Sequence, residues 1–252
     1  MRAIVFTLVT MALLAGCDRQ PERRAVPKTS GAAGSASTQP IRGQGSIIGQ
    51  VNLVGWKGPA TLPVLMRVPF QDRQIDVPDE SVITNSNGTL RNVLLYVKDA
   101  PPLDPATDAP PVVLDQVECV YTPHVVAVQV GQPLRVKSSD NTMHNVHLMT
   151  RTNQPVNFGM VQPGTKDLSF KAPEIVRAKC DVHPWMLAYV AIFDHPFFAV
   201  TREQGTFEIK GLAPGTYTLV AWHERFGELE QTISVGENEP SRVSFTYGPP
   251  PQ

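Results

Sequence analysis

From Ser46 to Tyr247 the chain is cut into short apolar runs, each broken by turn chemistry, and this limits it to strands. "SIIGQVNLVG" alternates and ends in Gly, and "PVLMRVPF" is another short run. "SVITNSNGTLRNVLLYVKDA" carries an Asn-Gly step at Asn87-Gly88 between two β-rich runs, which predicts a hairpin. "VVLDQVECVY", "VVAVQVGQPLRVKSS" (folded at Gly131-Gln132), "DLSF", "IVRAK" and "AYVAIF" follow. "FFAVT", "GTFEIKG", "GTYTLVAWH", "LEQTISVG" and "SRVSFTYG" then come at short spacing. The 24 prolines act against long helices, and no helical period or fixed repeat emerges. The pattern predicts an all-β chain built as sandwich or barrel. "APPLDPATDAPP", residues 100–111, reads as a loop.

The N-terminus is of another kind. Met1-Arg2 is followed by "AIVFTLVTMALLAG", too short to span a bilayer comfortably and placed where a secretory signal sits. It ends in "LAGC", Leu14 to Cys17, which resembles a bacterial lipobox. That resemblance implies cleavage before Cys17, lipidation of Cys17, and a protein held on the periplasmic side of the cell envelope by acyl chains. The other reading is an ordinary signal peptide with Cys17 there by chance. Residues 18–45 lack an apolar period and read as a tether. A formal net charge of −1 and the lack of a basic run give no sign of a nucleic-acid face. No Ser-His-Asp order, paired carboxylates, phosphate loop or haem-attachment motif points to an enzyme.

Two segments carry chemistry. "SSDNTMHNVHLMT", residues 138–150, places His144, Asn145 and His147 at a strand end. "KCDVHPWMLAYV", residues 179–190, packs Cys180, His183 and Met186 into seven residues. Imidazoles, a thiolate and a thioether together suit copper, because soft sulfur favours Cu(I) and imidazole favours Cu(II). Zinc accepts Cys and His but rarely a thioether, so Met186 argues for copper. The competing reading is a disulfide between Cys119 and Cys180, the default for two exported cysteines; it would leave no thiolate for a metal. If free, Cys119 reads as a small core residue beside Tyr121 on one strand face.

"MHNVHL" with "CDVHPWM" resembles the two copper-binding motifs of the blue copper proteins, or cupredoxins. The short C-x2-H-x2-M loop is most similar to the amicyanin type. The resemblance covers about residues 113–194. It implies a Greek-key sandwich with His144, Cys180, His183 and Met186 as ligands of one copper. It also implies that Asn145 ties the two ligand loops together near the sulfur. His147 falls on the strand face opposite His144 and reads as structural. Cys119 and His124 stand as further candidates near the metal, with a turn after Pro123 the other reading of His124. His195 and His223 read as structural or surface residues.

The flanks carry a second resemblance. "VTREQGTFEIKGLAPGTYTLVAWHE" is similar to the second half of a carboxypeptidase regulatory-like, or transthyretin-like, sandwich, and "GSIIGQVNLVGWKGPA" is similar to its opening strand. The expected organisation is a signal at 1–17, a tether at 18–45, an N-terminal β segment at 46–112, a cupredoxin-like domain at 113–195, a regulatory-like β segment at 196–248 and a tail at 249–252. The functional expectation is an envelope lipoprotein passing single electrons to a redox protein, a cytochrome or a dehydrogenase. Its rivals are a copper store, sensor or delivery protein, and a structural or carbohydrate-binding sandwich without metal.

Overall fold

The computed structural model describes residues 42–58, 64–105, 108–237 and 239–248. The signal segment, Cys17, the tether up to residue 41 and the tail lie outside the described residues. Every regular element among the described residues is a strand, so the all-β expectation holds. No helix among them is long and apolar enough to cross a membrane.

In chain order the strands are β1 (Arg42–Leu53), β2 (Val64–Phe70), β3 (Arg73–Pro78), β4 (Leu94–Val97), β5 (Val112–Val117) and β6 (Val120–Thr122). Then come β7 (Val125–Gln129), β8 (Leu134–Ser138), β9 (His144–Leu148), β10 (Val156–Met160), β11 (Gly164–Leu168) and β12 (Glu174–Lys179). The last six are β13 (Leu187–Phe193), β14 (Phe198–Val200), β15 (Thr206–Leu212), β16 (Gly215–His223), β17 (Gly227–Val235) and β18 (Ser241–Tyr247).

The middle of the chain forms one sandwich. A five-stranded sheet, β10-β9-β12-β13-β7, shares a core with a four-stranded sheet, β11-β8-β5-β6. Leu114, Tyr121, Val126, Val136, Val146, Val176 and Val190 fill it. The β2–β3 hairpin adds Val68, Phe70, Ile75 and Val77 to the same core. Both flanks of the chain build a second sandwich. Strand β1 lies between β15, antiparallel, and β18, parallel. That sheet packs on β14-β4-β16-β17 around Ile47, Val51, Leu95, Phe207, Leu219 and Phe245.

Strand β13 explains how the two sandwiches meet. Its residues are buried on both faces from Val190 to Phe193. Val190 and Ile192 point into the first core, while Ala191 and Phe193 join Leu94 and Val125 in a third apolar cluster. A strand covered on both sides loses the apolar-polar alternation, as "AYVAIF" does.

Four local expectations shift. Strand β1 starts at Arg42 rather than Ser46, through an irregular pairing of Arg42 and Gly45 with Leu212. The Asn87-Gly88 turn forms, with Gly88 at φ 79°, but its arms shrink to a single bridge between Thr84 and Leu90. Gly131 turns the chain as expected, yet β7 and β8 part into different sheets. The strand expected at "DLSF" lies earlier, at Gly164–Leu168.

Candidate metal centre

His144 is the first residue of β9 and is fully buried. Cys180 follows the last residue of β12, and β13 begins one residue after Met186. Strands β9 and β12 are paired through Lys179 and His147, so the pairing itself carries the two sequence segments together. Between β12 and β13 the chain turns tightly: the Met186 amide donates to the His183 carbonyl at 2.9 Å, and the Cys180 amide to the Met186 carbonyl at 3.2 Å.

The result is a small cluster of donors. Nδ1 of His144 and Nδ1 of His183 face each other at 3.0 Å. The Cys180 Sγ lies 3.7 Å from the same nitrogen of His183. Two backbone amides point at that sulfur, Asn145 at 3.3 Å and His183 at 3.4 Å. Met186 is buried at the end of the loop in the same core as Cys180. Metal–ligand bonds of about 2.0–2.3 Å place neighbouring donors roughly 3–4 Å apart. The nitrogen and sulfur spacings fall in that range, so these residues fit a copper ion.

Asn145 links the two loops. Its side-chain oxygen accepts the Asp181 amide at 2.8 Å, and its NH2 donates to Asn157 at 2.5 Å. On the far side of His144, the Asp140 carboxylate meets Nε2 at 2.8 Å. The same carboxylate accepts the amides of Glu118 at 2.7 Å and Cys119 at 2.9 Å. Fixing Nε2 sets the ring's orientation and leaves Nδ1 for a metal. The sequence reading missed Asp140; its only signal is an acidic residue four positions before the histidine.

The electrostatics follow from this arrangement. Burial pushes the Cys180 thiol up, but hydrogen bonds from His144 and from the amides of Asn145, His183 and Val182 outweigh it, so the thiol ionises more readily than usual. Burial pushes His144 down, yet Cys180 and Asp140 hold it above the ordinary imidazole range. His183 falls below that range, first through burial and then through the charge of His144.

Cys119 and Cys180 are both free and buried, so the disulfide reading is corrected. Cys119 is also not a strand residue beside Tyr121. It sits with Glu118 in the two-residue turn between β5 and β6, at φ 59°, and its side chain is buried in the same core as Tyr121, as a small core residue would be. Donor atoms of Cys119, His144 and His183 all lie within 4.8 Å of one another. His124 stays out of the cluster: its Nε2 pairs with Glu224, and its Nδ1 lies 3.9 Å from Glu80. His147 points away from the cluster and pairs with Asp181 at 2.9 Å. His195 and His223 are buried, each accepting a backbone amide at Nδ1, from Phe197 and from Arg225.

No family model and no curated protein matches the chain. Among solved structures, it is similar to a copper-containing nitrite reductase from Thermus scotoductus SA-01, at 17% identity and a TM-score of 0.32. That likeness covers 37% of this chain and 25% of the reductase, so the chain spans a quarter of the enzyme's length. A purple cupredoxin from Nitrosopumilus maritimus is similar at 15% identity and a TM-score of 0.28, over 32% of this chain and 98% of that one. A reduced amicyanin variant is similar at 19% identity and a TM-score of 0.30, over 39% of this chain and 97% of that one.

Proposed function

We propose that this chain is a cupredoxin-like electron carrier that holds one type 1-like copper through His144, Cys180, His183 and Met186. The observation that carries this is the facing pair of imidazole nitrogens at 3.0 Å, with the Cys180 sulfur 3.7 Å from one of them. Copper bound there supplies a one-electron couple at potentials that thiolate and imidazole donors can both support. The chain's own residues do the rest. Asp140 and Asn145 fix the donors before the metal arrives, so little has to move when charge changes. The Asn145 and His183 amides stabilise negative charge on Cys180. His183 is only partly buried, and its ring edge is the exit for an electron.

The wider reading belongs to the same proposal. The chain is a carrier and not an enzyme, tethered through a lipid on Cys17 on the periplasmic side of the envelope. It exchanges electrons with a redox protein, a cytochrome or a dehydrogenase. The flanking sandwich is the regulatory-like module built from both ends of the folded part. The test is to titrate Cu(II) into the soluble domain and record the visible spectrum. An intense thiolate-to-copper band that disappears in Cys180→Ser is expected. A colourless titration overturns the reading.

A further inference from the structure

We infer that Cys119 is a second sulfur donor of the metal centre, so that the site holds its ion through two thiolates and two imidazoles, with Met186 beside them. The inference rests on the copper reading above and specifies its donor set.

The first observation is proximity. The Cys119 sulfur and one ring nitrogen from each of His144 and His183 lie within 4.8 Å of one another. Donors bound to one ion at about 2.0–2.3 Å stand roughly 3–4 Å apart, so a side-chain movement of about an ångström brings Cys119 into reach. The second is that the thiol has no other covalent role, because Cys119 and Cys180 are unpaired.

The third observation is how the turn that carries Cys119 is held. Cys119 is presented by a two-residue turn in which Glu118 and Cys119 both have positive φ, 51° and 59°. Asn-Gly or Gly-Gly fills such a turn at lower cost, and a non-Gly residue there persists only when its surroundings hold it. Here they do. The Asp140 carboxylate takes both turn amides, at 2.7 and 2.9 Å, and the same carboxylate orients His144. The Cys119 carbonyl accepts the Trp185 indole N–H at 3.1 Å, and Trp185 lies within the Cys180–Met186 loop. The turn is thus fastened to both metal-binding segments by separate hydrogen bonds. These bonds fix the Cys119 backbone beside both segments, and its side chain is 2% exposed, in the core that also holds Cys180 and Met186.

X-ray absorption on the copper-loaded full-length protein tests this without any substitution, by counting sulfur neighbours at short distance. Two are expected. One short sulfur overturns the inference while leaving the copper reading in place. Cys119→Ser and Cys119→Ala supply the second measurement. Each is expected to keep copper, to lose one sulfur neighbour and to shift the visible band. Each is also expected to hold Cu(I) at least about ten-fold more weakly against a competing chelator. Unchanged spectrum and affinity in both variants overturn it; should either variant fail to fold, the wild-type sulfur count decides. If the wild-type protein takes up no copper, the inference and the reading beneath it fall together.

Discussion

At the scale of single residues, Asp140 does most to organise the site. One buried carboxylate serves the His144 ring and two turn amides. Asp140→Ala leaves the buried His144 ring nitrogen and Cys119 amide unpaired, at a cost of about 1–3 kcal/mol each. Denaturant unfolding of the metal-free variant is expected to show a loss of at least that size. Copper affinity, read by chelator competition, is expected to fall about 10–100-fold in the milder Asp140→Asn. The proposed donors could be picked out in the sequence, because Cys, His and Met at that spacing are few and chemically distinctive. Asp140 was not, since an aspartate in "SSDNT" looks like any solvated loop residue until the fold buries it. Cys119 is the buried core residue the sequence suggested, but it lies in a turn and not on a strand; that turn has no glycine, so the sequence does not reveal the change in chain direction.

At the scale of elements, the strands could be read but their partners could not. "VVAVQVGQPLRVKSS" reads as one hairpin, yet β7 pairs with β13 and β8 with β5, both in parallel. A turn signal reports local backbone, whereas sheet membership depends on which remote edge is free. Strand β1 shows how tight such a remote fit becomes. A Cβ on Gly49 would sit 2.0 Å from the Val243 carbonyl oxygen of β18 and 2.8 Å from the Phe207 ring of β15. Gly49→Ala therefore has to push β1 off a neighbouring backbone. An overpacking cost of about 1–3 kcal/mol is expected, measured as a lower midpoint in thermal or urea unfolding. Because Gly49 lies in the flanking sandwich, the visible band of any surviving folded, copper-loaded protein is expected to be unchanged.

At the scale of the whole molecule, the two sandwiches depend on each other. A fragment of residues 113–195 lacks Val68, Phe70, Ile75 and Val77 of the metal-side core, and it bares Ala191 and Phe193 at the junction. Burying one such side chain contributes about 1.5–3 kcal/mol. The fragment is expected to show no cooperative unfolding transition by circular dichroism, although it contains all the proposed ligands. The second sandwich also sets an acid limit. Burial, then the charges of His124 and Arg225, push His223 down to about 3. Its folded pKa lies below the unfolded value near 6.5, so its contribution to stability is complete above pH 6.5 and drains away as pH falls toward 3. Between pH 6.5 and 5 the loss is about 2 kcal/mol. Urea unfolding at the two pH values is expected to show that drop, and His223→Gln to flatten it.

By itself, the sequence determined the strand-rich architecture and which side chains stand as the proposed metal donors. Both are local: turn residues act on the backbone beside them, and ligand chemistry belongs to the side chain. The tertiary structure alone decided what depends on distant segments meeting. It parted the two cysteines, brought Asp140 onto both His144 and the β5–β6 turn, and sent His124 to Glu224. Each of these rests on strand pairings between residues tens of positions apart, and no local pattern along the chain encodes which edge a strand will find.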